Sequence, residues 1–63
     1  MPDLSLIKLP EVIIMTGLSR STIYLYMKEN EFPKPVRIGK RAVAWRREQV
    51  ENWIKHRIVQ SVA

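Results

Sequence analysis

The stretch Thr16-Gly17-Leu18-Ser19-Arg20-Ser21-Thr22-Ile23-Tyr24-Leu25-Tyr26-Met27-Lys28 limits the fold more than any other part of the chain. It reads as the end of one short helix, a tight corner and the start of a second helix. Gly17 suits the left-handed conformation that closes a helix. Ser19 suits an N-cap whose side-chain oxygen accepts from the Ser21 or Thr22 amide. Leu18 then falls just before the cap and Ile23 at the fourth helical position, the two sites of a hydrophobic staple. Two helices joined by a three- or four-residue turn containing glycine form the helix-turn-helix pattern. Such a corner presents its second helix to the major groove of DNA, and that is the working expectation.

Around this corner the remaining elements can be placed in order. Residues 1–8 are a lead-in whose Leu4, Leu6 and Ile7 are apolar enough to lie on the core. Helix 1 is expected to start at Pro10, where a missing amide hydrogen costs nothing, with Glu11 complementing the helix dipole. Leu9, Val12, Ile13 and Thr16 share one face, Met15 flanks it, and Ile14 points the other way. Helix 2 is expected over residues 20–29, with Ile23, Met27 and Asn30 inward and Ser21, Leu25 and Lys28 outward. Phe32-Pro33-Lys34-Pro35 cannot continue a helix and reads as a stiff connector, Phe32 folding back to seal the core.

Residues 36–45 read as a β-hairpin. With Lys40 and Arg41 at the tip, Ile38 faces Val43 and Val36 faces Trp45, all on one side of the ribbon. A turn at Gly39-Lys40 would split this apolar set between faces. The first register is therefore expected, with Arg37 on the outer face and Gly39 lending backbone freedom beside the turn. Helix 3 is expected over residues 47–58, with Val50, Trp53, Ile54 and Ile58 at core-facing spacing and a fraying tail beyond. Arg46 and Arg47 at its start oppose the helix dipole, and a nearby DNA phosphate would compensate them. The fold expected is mainly α with a small β-hairpin: a winged helix-turn-helix in the order helix, helix, two-stranded wing, helix, as one domain over residues 1–63.

The chain's 63 residues allow one modest core, and its lack of cysteine rules out disulfides and thiolate metal sites. There is no membrane-span run and no signal-peptide pattern, so a soluble cytoplasmic protein is expected. Net charge is +5 and the sequence pI is about 10.1, which points to a polyanionic partner. Placement sharpens this. Six of the eleven basic residues (Lys34, Arg37, Lys40, Arg41, Arg46 and Arg47) fall within fourteen residues that contain no acid.

Nothing in the pattern suggests an enzyme. His56 is the single histidine and reads as surface, no carboxylates pair at acid–base spacing, and no Cys/His cluster suits a metal. Gly17 and Gly39 stand alone, so no glycine-rich phosphate loop exists. No cofactor and no small-molecule ligand are expected. Trp45 and Trp53 lie on apolar faces and read as core. Tyr24 and Tyr26 stay open, each able to lean on the core and reach a phosphate with its hydroxyl.

Several separated blocks together resemble the AlpA family of phage-type regulators, a branch of the winged helix-turn-helix group that includes excisionases and the DNA-binding domains of MerR-like activators. These are Leu9-Pro10-Glu11-Val12, Thr16 through Tyr24, Met27-Lys28, Phe32-Pro33-Lys34-Pro35-Val36, Arg41-Ala42-Val43-Ala44-Trp45-Arg46, and Val50 with Trp53-Ile54. The resemblance implies sequence-specific binding of double-stranded DNA, helix 2 in the major groove and the hairpin as a wing on the backbone or minor groove. It also implies regulation or excision of integrated genetic elements, with RNA polymerase or an integrase as possible partners. The position after Tyr24, usually basic in such proteins, is Leu25 here.

The residues expected to meet DNA are Ser19, Arg20, Ser21, Thr22, Tyr24 and Lys28 from helix 2, with Arg37, Lys40, Arg41 and Arg46 from the wing and its base. Two rival readings share this fold. One is an excisionase-like architectural factor for recombination. The other is a protein-interaction module that has lost DNA contact, with Leu25 and Ile14 as anchors.

Overall fold

Pro10 has no amide hydrogen to give, and the first helix begins where none is required. That helix, α1 (Leu9–Thr16), starts one residue before the expected Pro10, with Lys8 as its cap and the Lys8 carbonyl accepting from the Glu11 and Val12 amides. The geometry comes from a computed structural model that describes residues 4–61; the expectations placed on residues 1–3 and 62–63 lie outside them. Gly17 closes α1 in the left-handed region (φ 72°), its N–H donating to the Ile13 carbonyl at 2.8 Å. The Thr16 hydroxyl donates to the Val12 carbonyl and accepts from the Leu18 amide, which fixes the turn on both sides of the glycine.

Ser19 then opens α2 (Arg20–Lys28), accepting the Thr22 amide at 3.2 Å as the cap pattern requires. Leu18 and Ile23 both join the core, as the staple expects. Helix α2 ends one residue short of the expected 29, in a Schellman motif. The Glu31 amide donates to the Tyr26 carbonyl at 2.7 Å, the Asn30 amide to that of Met27, and Asn30 takes φ 60°. Asn30 is therefore an exposed helix stop and has no place on the inward face.

The sheet departs from the expected two-stranded wing. The lead-in supplies a third strand, β1 (Leu6–Ile7), which pairs antiparallel with β3 (Val43–Arg46), while β2 (Val36–Arg37) pairs with the other edge of β3. The partners are Leu6 with Arg46, Ile7 with Trp45, Val36 with Ala44 and Arg37 with Val43. This register differs by one residue from the expected one, in which Val36 faces Trp45 and Ile38 faces Val43. Cross-strand partners share a face, so Arg37, Val43, Trp45 and Ile7 lie on one side of the sheet and Val36, Ala44, Arg46 and Leu6 on the other.

The physical reason is Trp45. Its partner is Ile7 on β1, and burying that pair decides the register of β3, overriding the hairpin's own alternation. The cost falls on Val36 and Ile38, which stay 40% and 46% exposed, and on Leu4 and Leu6, which also face solvent. Gly39, Lys40 and Arg41 make the bend, closed by the Ile38 and Gly39 amides donating to the Ala42 carbonyl. Gly39 does not take a positive φ there; among the described glycines only Gly17 does.

Strand β3 passes directly into α3 (Arg47–Ser61), whose first amide donates to the Ser5 carbonyl at 2.9 Å. The core is Ile7, Val12, Ile23, Phe32, Trp45 and Val50, with Leu9, Ile13, Met15, Tyr26, Met27, Trp53 and Ile54 packed around it. Ile58, expected on this stripe, is 56% exposed, because α3 has run past the small core by that turn. Residues 59–61 continue the helix where fraying was expected. Both tryptophans serve packing. The Trp45 indole N–H donates to the Pro33 carbonyl at 3.0 Å, and that of Trp53 to the Glu31 carbonyl at 2.7 Å. Phe32 is buried edge-on to Trp53, with ring centroids 4.9 Å apart.

Two substitutions test this account of the fold by urea denaturation. A Cβ at residue 17 meets nothing within 4 Å, so Gly17→Ala should lose only the left-handed preference, about 1–2 kcal/mol. Gly17→Asn should lose less. Trp45→Ala should cost about 3–5 kcal/mol, comparable with the whole stability of a domain this small. It should therefore show no cooperative transition at room temperature.

Candidate nucleic-acid interface

The inward residues of α2 fix which side of it is free. Ile23 is fully buried, and Tyr26 and Met27 pack against the same cluster, so the opposite face carries Ser21, Leu25 and Lys28, with Arg20 and Tyr24 beside them. All five are exposed. Ser19 is exposed at the cap and Thr22 is half-buried, their hydroxyls 2.8 Å apart in a hydrogen bond. Helix α2 thus brings six of the candidates (Ser19, Arg20, Ser21, Thr22, Tyr24 and Lys28) onto one short rod. Of the two tyrosines, Tyr26 leans on the core and Tyr24 stays outside.

On the wing, Arg37, Lys40 and Arg41 are exposed, Arg37 from β2 and the other two from the bend. Arg37 lies on the sheet face of Val43 and Trp45, not on an outer face opposed to the core side, as a consequence of the observed register. Arg46 lies on the other face, at the far end of β3, half-buried beside Leu6. The sheet therefore separates Arg46 from Arg37.

The start of α3 also differs from expectation. Arg47 donates to Glu11 Oε2 at 3.0 Å, and Arg46 lies 3.6 Å from Glu48 Oε2. Carboxylates of the chain itself thus offset the two cations, and no external anion is required for that. Glu11 comes from α1 and Glu48 from the first turn of α3, so three-dimensional packing brings the first pair together while sequence proximity brings the second. Exposed pairs of this kind contribute little to stability.

These are the only two ion pairs among the described residues. Arg20, Lys28, Arg37, Lys40 and Arg41 are thus exposed cations with no carboxylate partner there. Lys34, on the connector, is also exposed. Arg57, outside the candidates, sits over the Trp53 ring at 4.8 Å and the Tyr26 ring at 5.4 Å. Its spacing of four from Trp53 on α3 was the available signal for that stack.

Two open grooves run along α3, one against the connector around Phe32 and Pro33, the other against the turn at Leu18. Neither includes a candidate residue. Among the described residues there is no group of three or more His, Cys, Asp or Glu able to hold a metal ion, and no helix long and apolar enough to cross a membrane.

The family described as prophage CP4-57 regulatory protein (AlpA) matches residues 5–58. An uncharacterized protein, ORF88 of Enterobacteria phage P4, is 41% identical over 61 residues, covering 92% of this chain and 69% of that protein. The DNA-binding transcriptional activator AlpA of Escherichia coli (strain K12) is 31% identical over 58 residues, covering 82% of this chain and 83% of that protein. The matched span takes in the turn, α2, the wing and most of α3, and so the chain belongs to the AlpA family of phage regulatory proteins.

Proposed function

We propose that this chain binds double-stranded DNA sequence-specifically and regulates transcription from an integrated prophage-like element. Helix α2 enters the major groove and the wing rests on the adjacent backbone or minor groove. The observation that carries the reading is the set of exposed cations on α2 and the wing that have no carboxylate partner among the described residues, against the internally paired Arg46 and Arg47. Cations held by carboxylates have part of their field already cancelled. Unpaired ones gain fully from phosphate and release its counterions. The description of the Escherichia coli relative as a DNA-binding transcriptional activator points the same way.

Roles divide by reach. Arg20 and Lys28 bracket α2 and suit phosphates or guanine edges, while Ser21 and Tyr24 donate from the exposed face. Ser19 and Thr22 act chiefly through the cap that fixes the angle of α2. Lys40 and Arg41 at the bend and Arg37 on β2 neutralise phosphates. Arg46 contributes less than these, since Glu48 competes for it. RNA polymerase or an integrase would be recruited from the side of the chain facing away from the duplex.

Salt dependence tests the reading. If about four to six phosphates are neutralised, log K should fall against log salt with a slope of about −4 to −5. Lys40→Glu and Arg41→Glu should each flatten that slope by about one, yet change stability by only ~0.5 kcal/mol. Fluorescence anisotropy over a salt series gives the slope, and a thermal melt confirms folding. A near-flat salt response in the unaltered chain would defeat the proposal.

A further inference from the structure

We infer that Leu25 makes an apolar contact with the C5-methyl group of a pyrimidine in the major groove, thymine in unmodified DNA, and so determines specificity. The inference rests on the DNA reading above and names which base feature the centre of α2 recognises. Leu25 lies in the middle of α2 and is 50% exposed, outside the core cluster that takes Ile23, Tyr26 and Met27 from the same helix. Side chains three and four positions away are its neighbours on the helix surface. These are Ser21, Thr22, Lys28 and Glu29, all polar. Along the helix surface Leu25 is therefore an isolated aliphatic side chain, with the exposed Tyr24 beside it, Lys28 a turn away and Arg20 near the start of the helix, both cations without a carboxylate partner among the described residues.

A single side chain of that size suits a small apolar group better than a protein surface. Protein partners bind through contiguous apolar patches with several anchors, and the polar side chains three and four positions from Leu25 do not extend it into one. Phosphate and sugar gain nothing from an isobutyl group. A base edge does offer a match. Of the four bases, only thymine places a methyl group in the major groove, where apolar side chains contact it. The cations set the register of α2 on the backbone, and Leu25 then distinguishes a position carrying a methyl from one without it.

The test removes one methyl group and nothing else. DNA bound by the unaltered chain is selected from a random pool of unmodified duplexes, and each thymine of the selected site is replaced in turn by deoxyuridine. At one or two adjacent positions the unaltered chain should bind about fourfold more weakly, the equivalent of ~0.8 kcal/mol for one methyl-sized group. Leu25→Ala should bind the thymine and deoxyuridine duplexes equally at those positions, while Leu25→Met should keep the preference. Circular dichroism and the melting temperature confirm that both variants are folded. Indifference to every thymine-to-deoxyuridine change overturns the inference, and so does a penalty that survives in Leu25→Ala. Both leave DNA binding standing. Failure to enrich any duplex overturns the DNA reading and this inference with it.

Discussion

Trp45 is inaccessible to solvent, pairs with Ile7 across β1 and β3, and donates its indole N–H to the Pro33 carbonyl. In a chain of 63 residues this one side chain connects the lead-in, the wing and the connector after α2. Around it the cluster draws one residue from each helix, Val12, Ile23 and Val50, and Phe32 from the connector. A fully buried tryptophan needs both apolar cover and an acceptor for its N–H, and here separate segments of the chain provide them. With Trp45 and Ile7 on one face of the sheet, Val36 falls on the other and stays 40% exposed.

The candidate interface depends on that core only indirectly. Ile23 commits one side of α2 to the cluster, which leaves Arg20, Ser21, Tyr24, Leu25 and Lys28 on the other side. The angle at which they are offered is set at the corner, by Gly17 in the left-handed region, Thr16 bridging Val12 and Leu18, and Ser19 capping Thr22. At the other end, the Schellman closure at Asn30 turns the chain towards Phe32. Local backbone chemistry thus places this exposed face of α2, and the cluster around Trp45 joins α2 and β3 in one core through Ile23 and Trp45.

How much of this was legible in the sequence depended on the range of each interaction. Gly17, Ser19 and the apolar spacing of α1 and α2 encode their structure within a few residues, and these elements matched expectation to within one residue at each end. The hairpin was legible as a hairpin, but its register was not. The hairpin's own alternation carries no trace of Ile7, a partner nearly forty positions away that decides which face Trp45 takes. The same blindness to distance applied to Arg47, whose partner Glu11 lies on α1. Nothing near either residue in the sequence signals that pair. Among the candidates, the α2 set and the bend at Lys40 and Arg41 were legible because exposure follows from local pattern. The sheet face of Arg37 was not, because it depends on the register of β2 against β3, whereas Arg46 and its partner Glu48 are only two positions apart.

The central claim is that α2 and the wing meet one duplex together. Amide chemical-shift mapping by NMR, with the isotopically labelled chain titrated by its selected duplex, tests it most directly. The account predicts that shifts cluster at residues 19–28 and 36–43 in the same titration and at the same stoichiometry. Residues along the α3 grooves, such as Trp53 and His56, should stay near their free positions. Shifts confined to α3, or to α2 with the wing unmoved, would contradict it.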